Sequence, residues 1–167
     1  NMDYIPLEQP VADLENKIDE LKRLAASESL NLDSEIADLQ QRATKLLREM
    51  FSHLRPYEKV QISRHPRRPN ALELIQSISS TFVELHGDRN FLDDKAVVGG
   101  LAKINDESVV IIGQQKGRGT KDNIFRNFGM PLPEGYRKAL RLMSMAERFN
   151  LPIVTFIDTP GAYPGVG

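Results

Sequence analysis

The residues best suited to chemistry lie in one run near the end of the chain. An apolar, β-branched stretch over 153–157 is followed by Asp158 and by a run of prolines and glycines that reaches Gly165. The stretch predicts a strand buried on both faces, and the run predicts a tight loop at its carboxyl end, where open α/β sheets bind ligands. Gly161 and Gly165 would let a ligand approach the backbone closely. A polar turn between strand and helix, capped by Asp158, explains the same residues.

A second glycine-rich loop follows another apolar run. Residues 109–112 predict a central strand, and residues 113–121 carry three glycines and three cations. That composition suits an anion or a polar ligand, with a mobile surface loop as the alternative. The glycine spacing fits neither a Walker loop nor a dinucleotide fingerprint, so we expect no ATP binding by either route.

Side-chain catalysis has little support in this sequence. No Ser-His-Asp or Cys-His arrangement is evident, and His53, His65 and His86 lack the spacing of metal ligands. Two glycine-rich loops that leave neighbouring strand ends would supply backbone N–H groups, which stabilise an oxyanion without a titrating side chain. The residues therefore favour enolate or acyl chemistry by electrostatic stabilisation.

The composition is that of a globular protein with one medium domain and an appendage: 40% of residues are hydrophobic, 27% are charged and the net charge is −1. A net charge this close to zero gives no overall electrostatic attraction for nucleic acid. The lack of cysteine excludes disulfides and zinc-thiolate sites. No apolar run approaches the roughly 18 residues of a membrane helix, and the first residues are acidic and proline-containing, so we do not expect them to be a signal sequence. We expect a cytoplasmic protein with no membrane association, or one of the plastid stroma in a plant.

Residues 1–69 predict a helical hairpin and a basic linker. Apolar residues recur at helical spacing on either side of a break at 27–31, and Asn31 or Asp33 can cap the second helix. We expect the two helices to pack antiparallel and assign them no chemistry. The stripes consist of Val11, Leu14, Ile18, Leu21 and Ala25, then Leu32, Ile36, Leu39, Ala43, Leu46 and Met50.

The basic linker follows a short helix predicted over 56–63. Arg64, Arg67 and Arg68 stand among prolines that predict an extended, rigid segment. It is either a solvated segment tied to acidic groups or a wall that faces an anion.

Residues 70–167 predict part of an α/β domain. Asn70 and Glu73 fit a capping box, and the helix they open is predicted to run to Gly87, where His86 bonds its last carbonyls or the turn at 88–89. Its apolar stripe is Leu72, Ile75, Ile78, Phe82 and Leu85. Strands follow at 95–104 and 108–114, joined by a turn at 105–106, and the Gly99-Gly100 pair favours a bulge over a close backbone approach.

A further helix is predicted from Pro133 to Asn150, before the strand at 153–157. We expect Leu140, Met143, Ala146 and Phe149 to form its core stripe, with Phe125 and Phe128 as anchors of the preceding turn. The opposite face is Arg137, Arg141, Ser144 and Arg148.

Six motifs, in order, resemble the carboxyltransferase alpha subunit of acetyl-CoA carboxylase from bacteria and plastids. The most specific is Asp-Thr-Pro-Gly-Ala-Tyr-Pro-Gly over 158–165. The others are Arg-His-Pro-Arg-Arg-Pro over 64–69, Glu-Leu-His-Gly-Asp-Arg over 84–89, Val-Gly-Gly over 98–100, Asn-Phe-Gly-Met-Pro over 127–131 and Pro-Glu-Gly-Tyr-Arg-Lys-Ala-Leu-Arg over 133–141.

The resemblance implies a crotonase-like spiral of ββα repeats, incomplete after Gly167 and preceded by the helical hairpin. It implies transfer of a carboxyl group from carboxybiotin to acetyl-CoA, which gives malonyl-CoA through a thioester enolate. Gly161 and Ala162 would act through their backbone on the biotin side. Substrate contacts would come from Tyr163, Pro164, Gly165, Lys116, Gly117, Arg118 and Lys121, and Arg64, Arg67 and Arg68 are weaker candidates.

The same resemblance implies several partners. These are a carboxyltransferase beta subunit in an α2β2 assembly, a biotin carboxyl carrier protein that bears the carboxybiotin, and a biotin carboxylase that alone uses ATP. Two other functions stay open, a stand-alone crotonase-type acyl-CoA hydratase or isomerase and a non-catalytic scaffold. The first needs a catalytic carboxylate that the sequence does not locate.

Overall fold

The computed structural model describes residues 5–28 and 31–165, and the chain divides into two compact units, Asn1–Arg68 and Pro69–Gly167. The first unit is helical, with α1 at Gln9–Glu28, α2 at Asp33–Ser52 and α3 at Pro56–Ser63, after a short 3-10 turn at Pro6–Glu8. Val11, Ile18 and Ala43 are buried where α1 and α2 pack together, which confirms the predicted stripes.

The link between α1 and α2 differs slightly from the prediction. The first helix continues to Glu28, and Ser29 and Leu30 lie outside the described residues. Leu32 occupies the N-cap position of α2 without a side-chain cap, while Asn31 Oδ1 accepts the Asp33 N–H at 3.3 Å.

The basic segment is a turn, so the prediction of an extended linker is wrong. The Arg68 N–H donates to the His65 carbonyl at 3.0 Å, and the Arg67 N–H donates to His65 Nδ1 at 3.1 Å. Pro66 stands at the second position of this turn, where its restricted φ is favourable. His65 Nε2 also lies 3.2 Å from Glu8 Oε2.

The second unit is a four-stranded mixed sheet between helices. Its strands are β1 at Thr81–Glu84, β2 at Val97–Ile104, β3 at Glu107–Gln114 and β4 at Ile153–Phe156, in the order β1-β2-β3-β4. The first two pairings are antiparallel and β3 pairs with β4 in parallel. The helices are α4 at Ala71–Ile78, α5 at Gly119–Phe125 and α6 at Pro133–Phe149, with a 3-10 turn at Asn127–Gly129.

Alternating residues of the sheet build two core layers. One contains Ala71 and Ile75 of α4 with Val98, Ala102, Val109 and Ile111 of the sheet. The other contains Leu142 and Ala146 of α6 with Val97, Val110 and Ile112. Because both faces of β3 are covered, its continuously apolar sequence marks a central strand, as predicted.

The helix predicted from Asn70 to Gly87 is in fact a helix followed by a strand. The capping box at Asn70 and Glu73 is present, but the helix ends at Ile78, and Ser79 adopts extended backbone. The Ser80 N–H donates to the Lys103 carbonyl at 2.9 Å and starts the pairing of β1 with β2. Phe82 therefore reaches the core from a strand, and its spacing from Ile78 matched a helical period by coincidence.

Gly99 and Gly100 form no bulge, because the β2–β3 register continues through both residues. They instead allow a close approach: a Cβ at Gly100 would overlap the Val83 carbonyl of β1, and one at Gly99 would lie 2.6 Å from Leu142 Cδ1. The turn at Asn105 and Asp106 is as predicted, with positive φ at both residues.

Helix α6 starts and ends as predicted, with Pro133 in the first turn and a left-handed Asn150 as its cap. Its predicted core stripe is correct at Ala146 only, because Leu140, Met143 and Phe149 are 64%, 37% and 66% exposed. Besides Ala146, the buried face carries Glu134, Gly135, Lys138 and Leu142. The predicted stripe did not include Lys138, which lies on the buried face.

Three further predictions are corrected. Strand β4 alternates between exposed and half-buried residues, since in the described chain it pairs with β3 only. Phe125 and Phe128 are 56% and 52% exposed and do not anchor the turn. His86 faces carboxylates, with Nδ1 3.4 Å from Asp93 Oδ2, because the helix it was expected to cap is absent. No helix in residues 5–28 or 31–165 is long and apolar enough to cross a membrane.

Candidate functional site

The two glycine-rich loops leave the same edge of the sheet. Strands β3 and β4 run in parallel with Gly113 opposite Phe156, so the chain after each strand emerges at adjacent positions. This arrangement confirms the prediction that the loops follow neighbouring strand ends. A Cβ at Gly113 would lie 2.8 Å from that of Ala71, so glycine permits α4 to pack there.

An ion pair joins the two loops. Lys116 Nζ, after β3, contacts Asp158 Oδ1, after β4, with both side chains about one-third exposed. The Asp158 N–H donates to Gln114 Oε1 at 3.0 Å, which adds a second link. The Lys116 stem passes over Gly129, where a Cβ would lie 2.7 Å from Lys116 Cγ. Asp158 therefore positions the loop rather than capping a helix.

The loop after Asp158 is also bonded to the segment before α6. Thr159 Oγ1 lies 2.6 Å from the Gly129 carbonyl and accepts the Gly161 N–H at 3.1 Å. The Tyr163 N–H donates to the Pro131 carbonyl at 3.1 Å. Gly161 has a φ of +152°, which favours glycine.

Ala162 lies between these two bonded residues. Within the described parts of the chain, its N–H has no hydrogen-bond acceptor, and the residue is exposed. Tyr163, Pro164 and Gly165 are exposed as well. A Cβ at Gly165 would collide with the Tyr163 ring, so glycine lets that ring fold over the end of the loop. The loop thus offers an open surface with an available backbone donor, the Ala162 N–H, at its centre.

The remaining predicted substrate contacts lie at the start of α5. The Gly117 N–H donates to Asn123 Oδ1 at 3.1 Å, so this donor is occupied. Arg118 pairs with Glu73 of α4 at 2.6 Å. Lys121 is exposed and pairs with no carboxylate among the described residues. Of the three loop cations, Lys121 is thus the one whose charge the described chain leaves unpaired, while Lys116 and Arg118 hold the loop against neighbouring elements.

A buried ionic cluster beside α6 was missed by the sequence analysis. Lys138, with its side chain 1% exposed, donates to Asp93 Oδ1 at 2.8 Å, to the Val97 carbonyl at 2.7 Å and to the Asp94 carbonyl at 3.4 Å. An ammonium has three N–H groups, so each has an acceptor. The signal that could have revealed it is spacing, since Lys138 lies three residues after Gly135 and four before Leu142.

Three aspartates surround this cluster. The N–H of Phe91 holds the pKa of Asp88 at about 2, helped by the Asn90 N–H and the Arg137 guanidinium against the effect of burial. Burial opposes ionisation of Asp93, yet hydrogen bonds from Lys138 and Lys95 lower the pKa of that carboxyl well below its usual range. Burial raises the pKa of Asp94, which accepts the Leu132 N–H at 2.8 Å at the start of α6. The cluster fixes the loop before β2 to α6.

Among residues 5–28 and 31–165, no three or more histidine, aspartate or glutamate side chains are grouped so that they could hold a metal ion. Asp158 is bonded to Lys116, and no other carboxylate extends from the 158–165 loop. The arrangement is suited to binding through backbone donors and cations.

Comparison with known proteins identifies the family. Over its 167 residues the chain is 53% identical to the acetyl-coenzyme A carboxylase carboxyl transferase subunit alpha of Marinomonas sp. (strain MWYL1), covering 100% of this chain and 53% of the relative. Over 164 residues it is 56% identical to the subunit of that name from Neisseria gonorrhoeae (strain NCCP11945), covering 98% of this chain and 52% of the relative. The chain thus spans about half the length of these curated relatives.

A more distant likeness is to a solved single-chain, multi-domain long-chain acyl-CoA carboxylase. It has a TM-score of 0.45 and 21% identity, and it covers 65% of this chain and 12% of that one. Residues 4–167 match the family described as acetyl co-enzyme A carboxylase carboxyltransferase-like. The chain belongs to that family.

Proposed function

We propose that this chain forms part of the alpha subunit of an acetyl-CoA carboxylase carboxyltransferase. The full-length subunit would carry out the carboxyl transfer that commits acetyl-CoA to fatty acid synthesis. Family membership and the names of the relatives support this function and not that of a hydratase or an inert scaffold. The unit with the sheet would be the first part of a crotonase-like ββα spiral, in keeping with its antiparallel strand pair, helix and parallel strand.

The reaction moves a carboxyl group between two substrates. Acetyl-CoA loses a proton from its methyl carbon. This methyl carbon bonds to the carboxyl carbon of carboxybiotin, and the bond between the carboxyl carbon and N1′ of biotin breaks. The proton is finally held at N1′, and the products are malonyl-CoA and biotin. Negative charge develops on the ureido oxygen of biotin and on the thioester oxygen, so donors that face these atoms lower the barrier.

The observation that carries the proposal is the N–H of Ala162, in an exposed loop at the carboxyl end of β4, for which no residue of the described chain provides an acceptor. This donor would face the ureido oxygen, with Tyr163, Pro164 and Gly165 beside the ring. Gly161 would supply the backbone geometry rather than a donor, because its N–H is bonded to Thr159. Lys121 would attract anionic substrate groups, while Lys116, Gly117 and Arg118 would hold the border of the pocket.

Other proteins would complete the system. A beta subunit would contribute the opposite side of the site in an α2β2 assembly, and a biotin carboxyl carrier protein would deliver carboxybiotin. A separate biotin carboxylase would use the ATP. We place the complex in the cytoplasm, or in the plastid stroma of a plant.

The test uses the full-length protein assembled with a beta subunit and follows the reverse reaction, with malonyl-CoA and free biotin as substrates. Replacing Ala162 by proline removes the donor and should lower kcat about 100-fold or more, the loss seen when one oxyanion donor is removed. Ala162→Ser keeps the N–H and should stay near wild type. A folded wild-type complex without malonyl-CoA-dependent turnover, or equal activity of the two variants, contradicts the proposal.

A further inference from the structure

The hydroxyl of Thr159 occupies an unusual position in the candidate site. It lies 2.6 Å from the Gly129 carbonyl and 2.9 Å from the Gly161 carbonyl, and it accepts the Gly161 N–H at 3.1 Å. A hydroxyl has one proton to donate and two lone pairs. The shorter contact assigns that proton to the Gly129 carbonyl, some 30 residues earlier in the chain, and a lone pair to the Gly161 N–H.

The acceptor belongs to a turn with uncommon backbone geometry. Asn127, Phe128 and Gly129 all have positive φ, at 47°, 55° and 72°. Two of the three are not glycine, and an aromatic residue in this region is held there by its surroundings. Asn127 stabilises the turn, since its Nδ2 donates to the Met130 carbonyl at 2.9 Å and its carbonyl accepts the Met130 N–H at 2.9 Å.

This turn receives bonds from both sides of Ala162. Its Gly129 carbonyl is bonded to Thr159, and the Pro131 carbonyl just beyond it accepts the Tyr163 N–H at 3.1 Å. The N–H groups of Gly161 and Tyr163 are thereby occupied, and that of Ala162 has no acceptor within residues 5–28 and 31–165. The two bonds therefore fix the peptide that carries the open Ala162 donor.

We infer that Thr159 is a positioning residue, whose hydroxyl ties the 158–165 loop to the 127–131 turn and so directs the Ala162 N–H at the ureido oxygen of biotin. This inference rests on the proposed function and adds a role for a side chain that does not itself touch the substrate. Preorganised donors act only when they are held in place, and a small misplacement of a reacting group reduces the rate strongly.

The experiment compares Thr159→Val with Thr159→Ser in the full-length protein assembled with the beta subunit. Valine keeps the branched shape without the hydroxyl, and serine keeps the hydroxyl without the methyl group. In the reverse reaction, we expect Thr159→Val to lower kcat/KM for free biotin about 10- to 100-fold, in line with a misplaced donor. The KM for malonyl-CoA should stay within about twofold, since the change is confined to the biotin side. Thr159→Ser should recover most of the activity.

Hydrogen exchange supplies a readout that does not need turnover. The Gly161 and Tyr163 amides should exchange at least about tenfold faster in Thr159→Val and at the wild-type rate in Thr159→Ser, because exchange follows local opening. Wild-type activity of Thr159→Val, equal loss in both variants, or a lower kcat with unchanged KM for biotin and unchanged amide exchange overturns the inference. Failure of the proposed function is distinct, because it appears as an inactive wild-type complex.

Discussion

The Lys116–Asp158 pair shows how single residues organise the candidate site. Each side chain follows a different strand, and together with the bond from the Asp158 N–H to Gln114 they join the two glycine-rich loops. Both groups keep about a third of their surface in water, so the cost of desolvation is moderate and the attraction is stronger than at a fully exposed site. Their main effect is to reduce the number of arrangements open to the loops.

A double-mutant cycle tests this pair. Lys116→Met and Asp158→Asn should each lower the free energy of unfolding by about 1 kcal/mol, and the double variant should lose little more than either single one. The coupling energy is measured by urea denaturation of the purified protein. Lys121→Met is the matched control, since this exposed cation pairs with no described carboxylate, and its effect should stay within about 0.5 kcal/mol. Additive losses in the cycle would show that the two side chains do not interact.

At the scale of elements, the packing of α6 depends on a lysine in its buried face. Lys138 places an ammonium beneath the helix, where it donates hydrogen bonds to Asp93 and to the Val97 carbonyl. The loop before β2 is held by the same cluster, because Asp88 accepts from Arg137 at 2.7 Å and the Gly87 carbonyl accepts from Arg141 at 3.0 Å. Helix α6 thus binds the sheet through apolar contacts at one end and ionic contacts at the other.

Removal of this buried charge should be strongly destabilising. Lys138→Met leaves the Asp93 carboxylate and the Val97 carbonyl without the ammonium, and breaking one side of a buried pair costs about 3–5 kcal/mol. Adding Asp93→Asn should recover part of this loss. Arg148→Met, on the exposed face of the same helix, should change the free energy of unfolding by less than about 0.5 kcal/mol in urea titrations. Comparable stability of the two single variants would contradict the role of Lys138.

The pairing of β1 with β2 depends on a glycine. An added Cβ at Gly100 would overlap the Val83 carbonyl, which is backbone and cannot turn aside as a side chain can. Gly100→Ala should therefore destabilise the protein by about 1–3 kcal/mol, the usual cost of overpacking. Lys103→Ala, at an exposed position of the same strand, is the control. Equal denaturation midpoints for the two variants would mean that β1 can shift without cost.

Local patterns predicted the elements whose signals are contained in a few residues. The Asn70–Glu73 capping box, the turn at Asn105 and Asp106 and the Asn150 cap each depend on neighbours in sequence, and all three are present. Strand β1 was missed because its helical spacing was accidental and its pairing partner lies about 20 residues away. The burial of Lys138 was not predicted, because its acceptors lie more than 40 residues earlier in the chain.

In the candidate site, too, features that depend on neighbouring residues could be predicted and features that depend on distant contacts could not. Two loops at adjacent strand ends could be predicted, because buried strands and glycine-rich runs are visible in a few neighbouring residues. That the Ala162 amide lacks an acceptor among the described residues could not be predicted, since the bonds from Thr159 to Gly129 and from Tyr163 to Pro131 arise only in the folded chain.

Across the whole molecule, a net charge of −1 conceals an uneven distribution of acidic groups. Asp88, Asp93 and Asp94 lie within one short segment, and their environments displace their pKa values in opposite directions. Asp88 and Asp93 bind fewer protons in the folded state than in the unfolded one at acidic pH. Asp94 binds more, because burial favours its neutral form. The response of stability to pH is therefore the sum of opposed contributions.

The stability of the protein should fall on acidification. A carboxyl with a lowered folded pKa contributes stability above its unfolded pKa of about 4, and this contribution is lost as the pH falls through the folded value. For Asp88, whose folded pKa is about 2, the loss should span about pH 4 to 2, and Asp93 should extend it lower. Asp94 acts in the opposite sense, since its contribution is complete below about pH 4 and declines as the pH rises through its raised pKa.

Urea titrations at a series of pH values measure this dependence. Below about pH 4, the free energy of unfolding should fall less steeply with pH for Asp88→Asn than for wild type, with Asp106→Asn at the exposed hairpin turn as the matched control. An unchanged slope in Asp88→Asn would show that this carboxyl does not link folding to protonation.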